Sequence, residues 1–173
     1  AGATARRMQA AVAPHAAEMF ITPMAAVAGA VAEEVLAAML HAADLPRAYV
    51  NDGGDIALHL APRERIAAGL VDRPDQPSLF ACAVIEAAAP VRGIATSGWR
   101  GRSHSLGIAD AVTVLADTAS AADAAATVIA NAVDLPGHPA IRRVPCREID
   151  PDSDLGDRPV TRAVAELARA EIE

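Results

Sequence analysis

The sequence predicts an α+β domain with a mostly antiparallel sheet. Two alanine-rich helical stretches bracket a run of short β-branched segments, and the segments come in blocks rather than in βαβ alternation. At 173 residues the chain fits one domain of ordinary size, so residues 1–173 are read as a single unit. Hydrophobic residues make up 53% of it and aromatic residues only 2%, so the core must be built from Ala, Val, Leu and Ile.

The elements follow in order. Ala3 to Glu18 reads as a helix that Pro14 ends or kinks. Thr22 is a suitable N-cap for a second helix with Pro23 at its first position, running to about Ala43 with its first half buried on all sides. Tyr49 to Asn51 and Ile56 to Leu60 read as strands around the turn Asp52-Gly53-Gly54-Asp55. Ala61 to Ser78 carries Pro62, Pro74 and Pro77 and reads as loop, with one short strand at Ile66 to Leu70. Leu79 to Glu86 and Val91 to Ala95 look like a strand pair, and Ala109 to Leu115 like a further strand. Asp117-Thr118 caps an alanine-rich helix to Val133; the text after Pro136 is loop-like, ending in a short helix from Val160 to about Glu171.

Composition excludes several functions. The net charge of −7 argues against a nucleic-acid surface, which would present a basic face. All 15 basic residues are arginine, which removes Schiff-base lysine chemistry, a pyridoxal-phosphate anchor and a P-loop lysine. Cys82 and Cys146 stand far apart in sequence with no C-x-x-C partner, which reads as two buried, reduced thiols rather than a zinc or dithiol site. No apolar run reaches the roughly 18 to 20 residues of a membrane span without interruption by charge, so a cytoplasmic protein without a membrane partner is expected. The long second helix is a candidate subunit interface, and a homo-oligomer is expected.

Chemistry concentrates in two places. Arg92 to Gly107 (RGIATSGWRGRSHSLG) packs four glycines among Arg92, Arg100 and Arg102, with Thr96, Ser97, Ser103 and Ser105 as hydroxyls and His104 as an imidazole. Glycines let backbone amides approach an anion and arginines neutralise it, so a phosphate-bearing small molecule is the expected ligand. In the helix SAADAAATVIAN, the residues Ser120, Asp123, Thr127 and Asn131 recur at spacings of 3, 4 and 4, which places them on one face. A carboxylate and a hydroxyl one turn apart, at Asp123 and Thr127, suit a hard cation such as magnesium, which fills its shell with water and phosphate oxygens. Asn51-Asp52-Gly53-Gly54-Asp55 is, taken alone, an ordinary hairpin turn.

Together these segments resemble the ApbE superfamily, and more closely its smaller branch of uncharacterised ApbE-like proteins. The likeness runs from about Thr22 to Val133 through TPMAAVAGAVAEEV, YVNDGGDIAL, IATSGWRGRSHSLGIADAVTVLA and ADAAAT. The resemblance implies a T-fold-like α+β domain and a magnesium-dependent flavin transferase, which cleaves FAD, attaches FMN to a threonine of a partner protein and releases AMP. It places metal binding on Asp123 and Thr127, and catalytic roles on Asp123 and His104. Flavin or nucleotide binding falls to Gly53 and Gly54 after the Val-Asn strand and to Thr96, Ser97 and Gly98; Asn51 of that strand and the loop arginines Arg100 and Arg102 are read beside them as binding residues from the loop's own chemistry. Two departures stand out: Ser105-Leu106-Gly107 follows His104 where the superfamily has a hydrophobic pair and Asp-Pro-x-Thr-Gly, and Thr22 and Ala28 replace an Asp and a Lys. A flavin- or nucleotide-binding protein without catalysis is the alternative.

Overall fold

The computed structural model describes residues 1–71 and 79–172. In chain order its elements are α1 (Ala3–Val12), a 3-10 turn (Pro23–Ala26), α2 (Val27–Ala42), β1 (Arg47–Asp52), β2 (Asp55–Leu60), β3 (Arg65–Val71) and β4 (Leu79–Glu86). β5 (Gly93–Ser97), β6 (Val112–Ala116), α3 (Ala119–Ala132), β7 (Ile141–Pro145), a 3-10 turn (Cys146–Glu148), β8 (Pro159–Val164) and α4 (Arg169–Ile172) follow. This is the expected α+β arrangement: every strand pair is antiparallel, in a four-stranded sheet ordered β1-β2-β5-β6 and two separate ribbons, β3-β4 and β7-β8.

Strand alternation divides the four-stranded sheet into two covered faces. On one face Ala48 and Ala57 pack with Ala32 and Leu36 of α2 and Ala119 of α3, while Ala95 packs with Ala122 and Ala126 of α3. On the other face Leu58, Leu60 and Ile94 meet Ile85, Ile66 and Ala68 of the β3-β4 ribbon. Alanine explains the closeness of the helical layer. With only a methyl group on each side, helix and sheet backbones approach further than Leu or Ile would allow. Gly29 takes this to its limit, because a Cβ there would collide with the Ala119 carbonyl and stand 2.7 Å from the Ser120 nitrogen.

Several expectations are corrected. Thr22 makes no capping hydrogen bond; its hydroxyl bonds Asp154, and the chain enters α2 through the Pro23–Ala26 turn. α2 is not buried all round: Gly29, Ala30, Ala32 and Leu36 face inward, while Val31, Val35 and Met39 are exposed. Pro23–Ala42 together form a helical segment of 20 residues with mean hydropathy 1.5, so one segment does reach the length and composition of a membrane span. It packs against α1, α3, β1 and β2 and carries Glu33 and Glu34, both paired with Arg7. β4 pairs with β3 rather than with the Val91–Ala95 strand, which instead lies between β2 and β6. The short strand expected at Ile66 to Leu70 is present as β3, one residue longer at each end, and 72–78 of the loop expected around it lie outside the described residues. Val160–Val164 belongs to β8 and not to a helix, and Cys82 is exposed while Cys146 is buried.

Candidate functional site

The site is built where β2 begins, β5 ends and α3 passes over both. Asp55 is the first residue of β2 and shares a strand face with Ala57, so its carboxylate lies on the helix-covered side of the sheet. By the same alternation Ser97 shares the face of Ala95, which packs on α3. Asp123, one turn into α3, accepts a hydrogen bond from the Gly29 amide at 3.1 Å, and the Ala28 amide adds a second. Asp55 in turn accepts the Thr96 amide at 3.3 Å. Chain and sheet therefore bring the acid-bearing helix and the Thr-Ser-Gly segment together through Asp55.

The electrostatics mark these two carboxyls out. Burial pushes the Asp123 carboxyl up to about 7, with the charge of Asp55 and then Asp52 adding to it and the Gly29 and Ala28 amides opposing it. Asp55 is pushed up to about 6, chiefly by burial, with Asp52 adding; the Thr96 amide and the charge of Arg102 pull the other way. Like charges that share a buried space favour one retained proton, unless a cation enters.

The 92–107 segment divides into parts with different anchors. Thr96 bonds Thr113 hydroxyl to hydroxyl at 2.8 Å, tying the end of β5 to β6. Beyond Gly98, Trp99 and Arg100 are stapled to one oxygen of Asp110 at 2.9 and 2.7 Å, with the Arg100 guanidinium 4.4 Å above the indole ring. The far foot is held by Asn131, whose Oδ1 accepts the Leu106 amide at 2.9 Å and the Ser105 hydroxyl at 3.2 Å. Thr161 of β8 donates to the Gly107 carbonyl at 2.8 Å, and its amide reaches the Ser105 carbonyl at 2.8 Å. Arg102, between the two anchors, lies against Gly53.

The sequence-predicted residues thus fall into groups. Asp55 accepts the Thr96 amide and interacts with the charges of Asp123 and Arg102; Arg102 lies against Gly53, and Ser97 shares the sheet face of Asp55. Asn51 caps the hairpin turn, its Oδ1 accepting the Gly54 amide at 2.8 Å. Gly98 and Arg100 belong to the Asp110 staple. His104 is half-buried and faces Asp150, 3.8 Å away, in the segment after β7. Thr127 is half-buried one turn beyond Asp123. Of the polar stripe, Ser120 is buried beside α2 and Asn131 serves the loop, so its two ends do different work from its centre. Asp55 was missed as a site residue. Its signal was parity, since an Asp two residues before the inward Ala57 sits at an inward position. A hollow of about 390 Å³ lies elsewhere, at the end of α2 between His41, Asp44 and His59. A smaller one of about 270 Å³ adjoins the loop between Trp99, Arg100, Thr161 and Arg162.

An antiparallel α+β domain with half-buried carboxyls beside a Gly/Arg loop is the class that fold and site define. The family model described as AbpE bacteria matches residues 1–173, and the chain belongs to that family. It is similar to a UPF0280 protein of Methanopyrus kandleri, 45% identical over 118 residues, covering 68% of this chain and 46% of that protein. A UPF0280 protein of Methanosarcina barkeri is 36% identical over 126 residues (68% and 45%), and one of Archaeoglobus fulgidus 40% identical over 116 residues (65% and 45%). The chain spans about half the length of the curated relatives it matches.

Proposed function

We propose that this domain binds a phosphate-bearing flavin nucleotide together with magnesium and cleaves its pyrophosphate, in the manner of an FMN transferase. The observation that carries the reading is the pair of half-buried carboxyls at Asp55 and Asp123, with no direct ion pair to either among the described residues, set beside Thr96 and within the field of Arg102. Hard carboxylate oxygens with no direct ion pair fit a divalent cation. Among the described residues no three His, Cys, Asp or Glu side chains converge to enclose a metal by themselves. A pair of carboxylates is what magnesium takes, completing its shell with water and phosphate.

In this reading Asp123 and Asp55 would hold the cation, and Thr127, one turn on, would supply a hydroxyl. When bound, the cation withdraws charge from the phosphates and from the leaving oxygen. Ser97 and the amides after it face the phosphate, and Arg102 neutralises it. An attacking hydroxyl forms the new P–O bond at the FMN phosphorus, its proton passes to a carboxylate of the site, and the P–O–P bridge breaks with its electron pair leaving on AMP. His104, turned toward Asp150, is a candidate to hold a proton at the edge of the loop. The test is incubation with FAD while magnesium is titrated, with AMP measured. AMP that appears with magnesium and disappears in Asp123→Asn supports the reading; no AMP at any magnesium concentration sinks it.

A second reading is a non-catalytic flavin or nucleotide binder. It is favoured by the missing Asp-Pro-x-Thr-Gly and by the groove beside Trp99, where an indole and the guanidiniums of Arg100 and Arg162 suit a planar ring with phosphate. Flavin bound in stoichiometric amount but recovered intact distinguishes it. The exposed Val31, Val35 and Met39 of α2, one turn apart each, are the face we assign to a second copy, and light-scattering mass checks this.

A further inference from the structure

The two arginines inside the loop are held differently. Arg100 is engaged by Asp110 and stacked on Trp99. Arg102 is exposed, and among the described residues no carboxylate lies within ion-pair distance of it. Its guanidinium nevertheless lies on Gly53, with Cζ 3.4 Å from where a Cβ at that position would stand. Gly53 has φ +69°, so the turn wants glycine for its backbone as well, and any side chain there would take the guanidinium's place. From that seat the charge of Arg102 acts on Asp55, the carboxyl that acts in turn on Asp123.

We infer that Arg102 is a built-in counter-cation: it sits over the Gly53 turn while Asp55 and Asp123 hold no metal, and it is displaced toward the ligand's phosphate when a divalent cation takes those carboxylates. The inference rests on the reading of Asp123 as a metal ligand. A dication entering beside Asp55 repels a guanidinium that is fixed by no direct ion pair. The planar fork of an arginine finds a better partner in a phosphate, which the cation has brought within reach. Cation and phosphate therefore help each other: the phosphate that takes Arg102 removes a competitor from the carboxylates, and the coupling is reciprocal.

Manganese(II) alone is the probe, titrated calorimetrically into the whole chain, then repeated with inorganic phosphate present. Arg102→Ala is expected to bind manganese about five- to tenfold tighter than the parent chain, and phosphate, which tightens manganese binding to the parent, is expected to lose most of that effect in the variant. Asp123→Asn is expected to bind at least about tenfold more weakly. Manganese binding by Arg102→Ala that is equal to or weaker than that of the parent overturns the counter-cation and leaves the metal reading standing. A parent chain that takes no manganese, or that is unaffected by Asp123→Asn, overturns both.

Discussion

The carboxylate of Asp123 accepts the amide of Gly29 at 3.1 Å, so an acid on α3 is held by the first turn of α2. The contact exists because position 29 has no side chain. Its Cα lies against the Ala119–Ser120 peptide, and one methyl group would force α2 and α3 apart. Gly29→Ala is therefore expected to destabilise the fold by about 1 to 3 kcal/mol through overpacking. A lower denaturation midpoint at unchanged m-value checks it; an unaltered midpoint would show that the helices give way freely.

Asp123 also makes stability depend on pH. Its folded value of about 7 lies above the 3.8 of an ordinary Asp, and Asp55 follows at about 6. Between the unfolded and folded values the native state keeps a proton that the unfolded state has lost, so stability falls as pH rises from about 4 to 7 and levels off above. Asp123→Asn keeps an oxygen for the Gly29 amide and removes the charge. It is expected to be more stable than the parent at pH 8 by about 1 to 3 kcal/mol, and little different at pH 4. Thermal denaturation of both chains across that range decides it, and parallel pH curves would count against a buried charge at this position.

The same carboxyls should make metal binding proton-linked. If manganese competes with the protons on Asp123 and Asp55, its affinity falls about tenfold per pH unit just below 7, more steeply (toward about a hundredfold per unit) once Asp55 is protonated as well below 6, and flattens above 7.5. Calorimetric titrations at pH 5.5, 6.5 and 8 test this, and a flat profile would place the metal on other groups.

Much of the scaffold was legible in the sequence and part of the site was not. The β1-β2 hairpin announced itself through Asp-Gly-Gly between β-branched runs, and α3 through Thr118, whose hydroxyl does accept the Ala121 amide at 3.2 Å. Strand partners were harder. β4 and β5 adjoin in sequence, but Ile85 and Ile94 are both wanted in one core between two layers, so β4 folds over the sheet with β3 instead of joining it. β8 was hidden by the helix-forming text after Ala165, although Val160, Thr161 and Val164 are β-branched. In the site, Asp55 was obscured by being read as a turn residue. The polar stripe of α3 looked uniform from spacing, yet neighbouring elements give Ser120, Asp123 and Asn131 separate partners.

Asn131 is the clearest of these. Its Oδ1 takes both the Leu106 amide and the Ser105 hydroxyl, and Ser105 is buried. Asn131→Ala leaves the half-buried Leu106 amide and the buried Ser105 hydroxyl without this acceptor, at a cost of about 1 to 3 kcal/mol, and frees the C-terminal foot of the loop while Thr161 still holds Gly107. Faster hydrogen exchange confined to residues 104–107 is the expected signature. Asn131→Asp, which retains an oxygen, should restore most of the protection.

Glu33 completes the helical layer from a distance. One carboxylate oxygen accepts the Ser120 amide at 2.7 Å, in the first turn of α3, and the other pairs with Arg7 of α1 at 3.2 Å. A negative charge at a helix N-terminus is favourable, and here it comes from another helix, so one side chain joins α1, α2 and α3. Glu33→Ala should lose both contacts and about 1 to 2 kcal/mol, whereas Glu33→Gln keeps an acceptor for Ser120 and should lose less than half of that. Because the half-exposed Arg7 pair is screened by salt and the buried amide contact is not, the gap between Gln and parent should narrow in 1 M salt while the gap between Ala and Gln persists. Equal midpoints for Ala and Gln would mean that the Ser120 amide finds another partner.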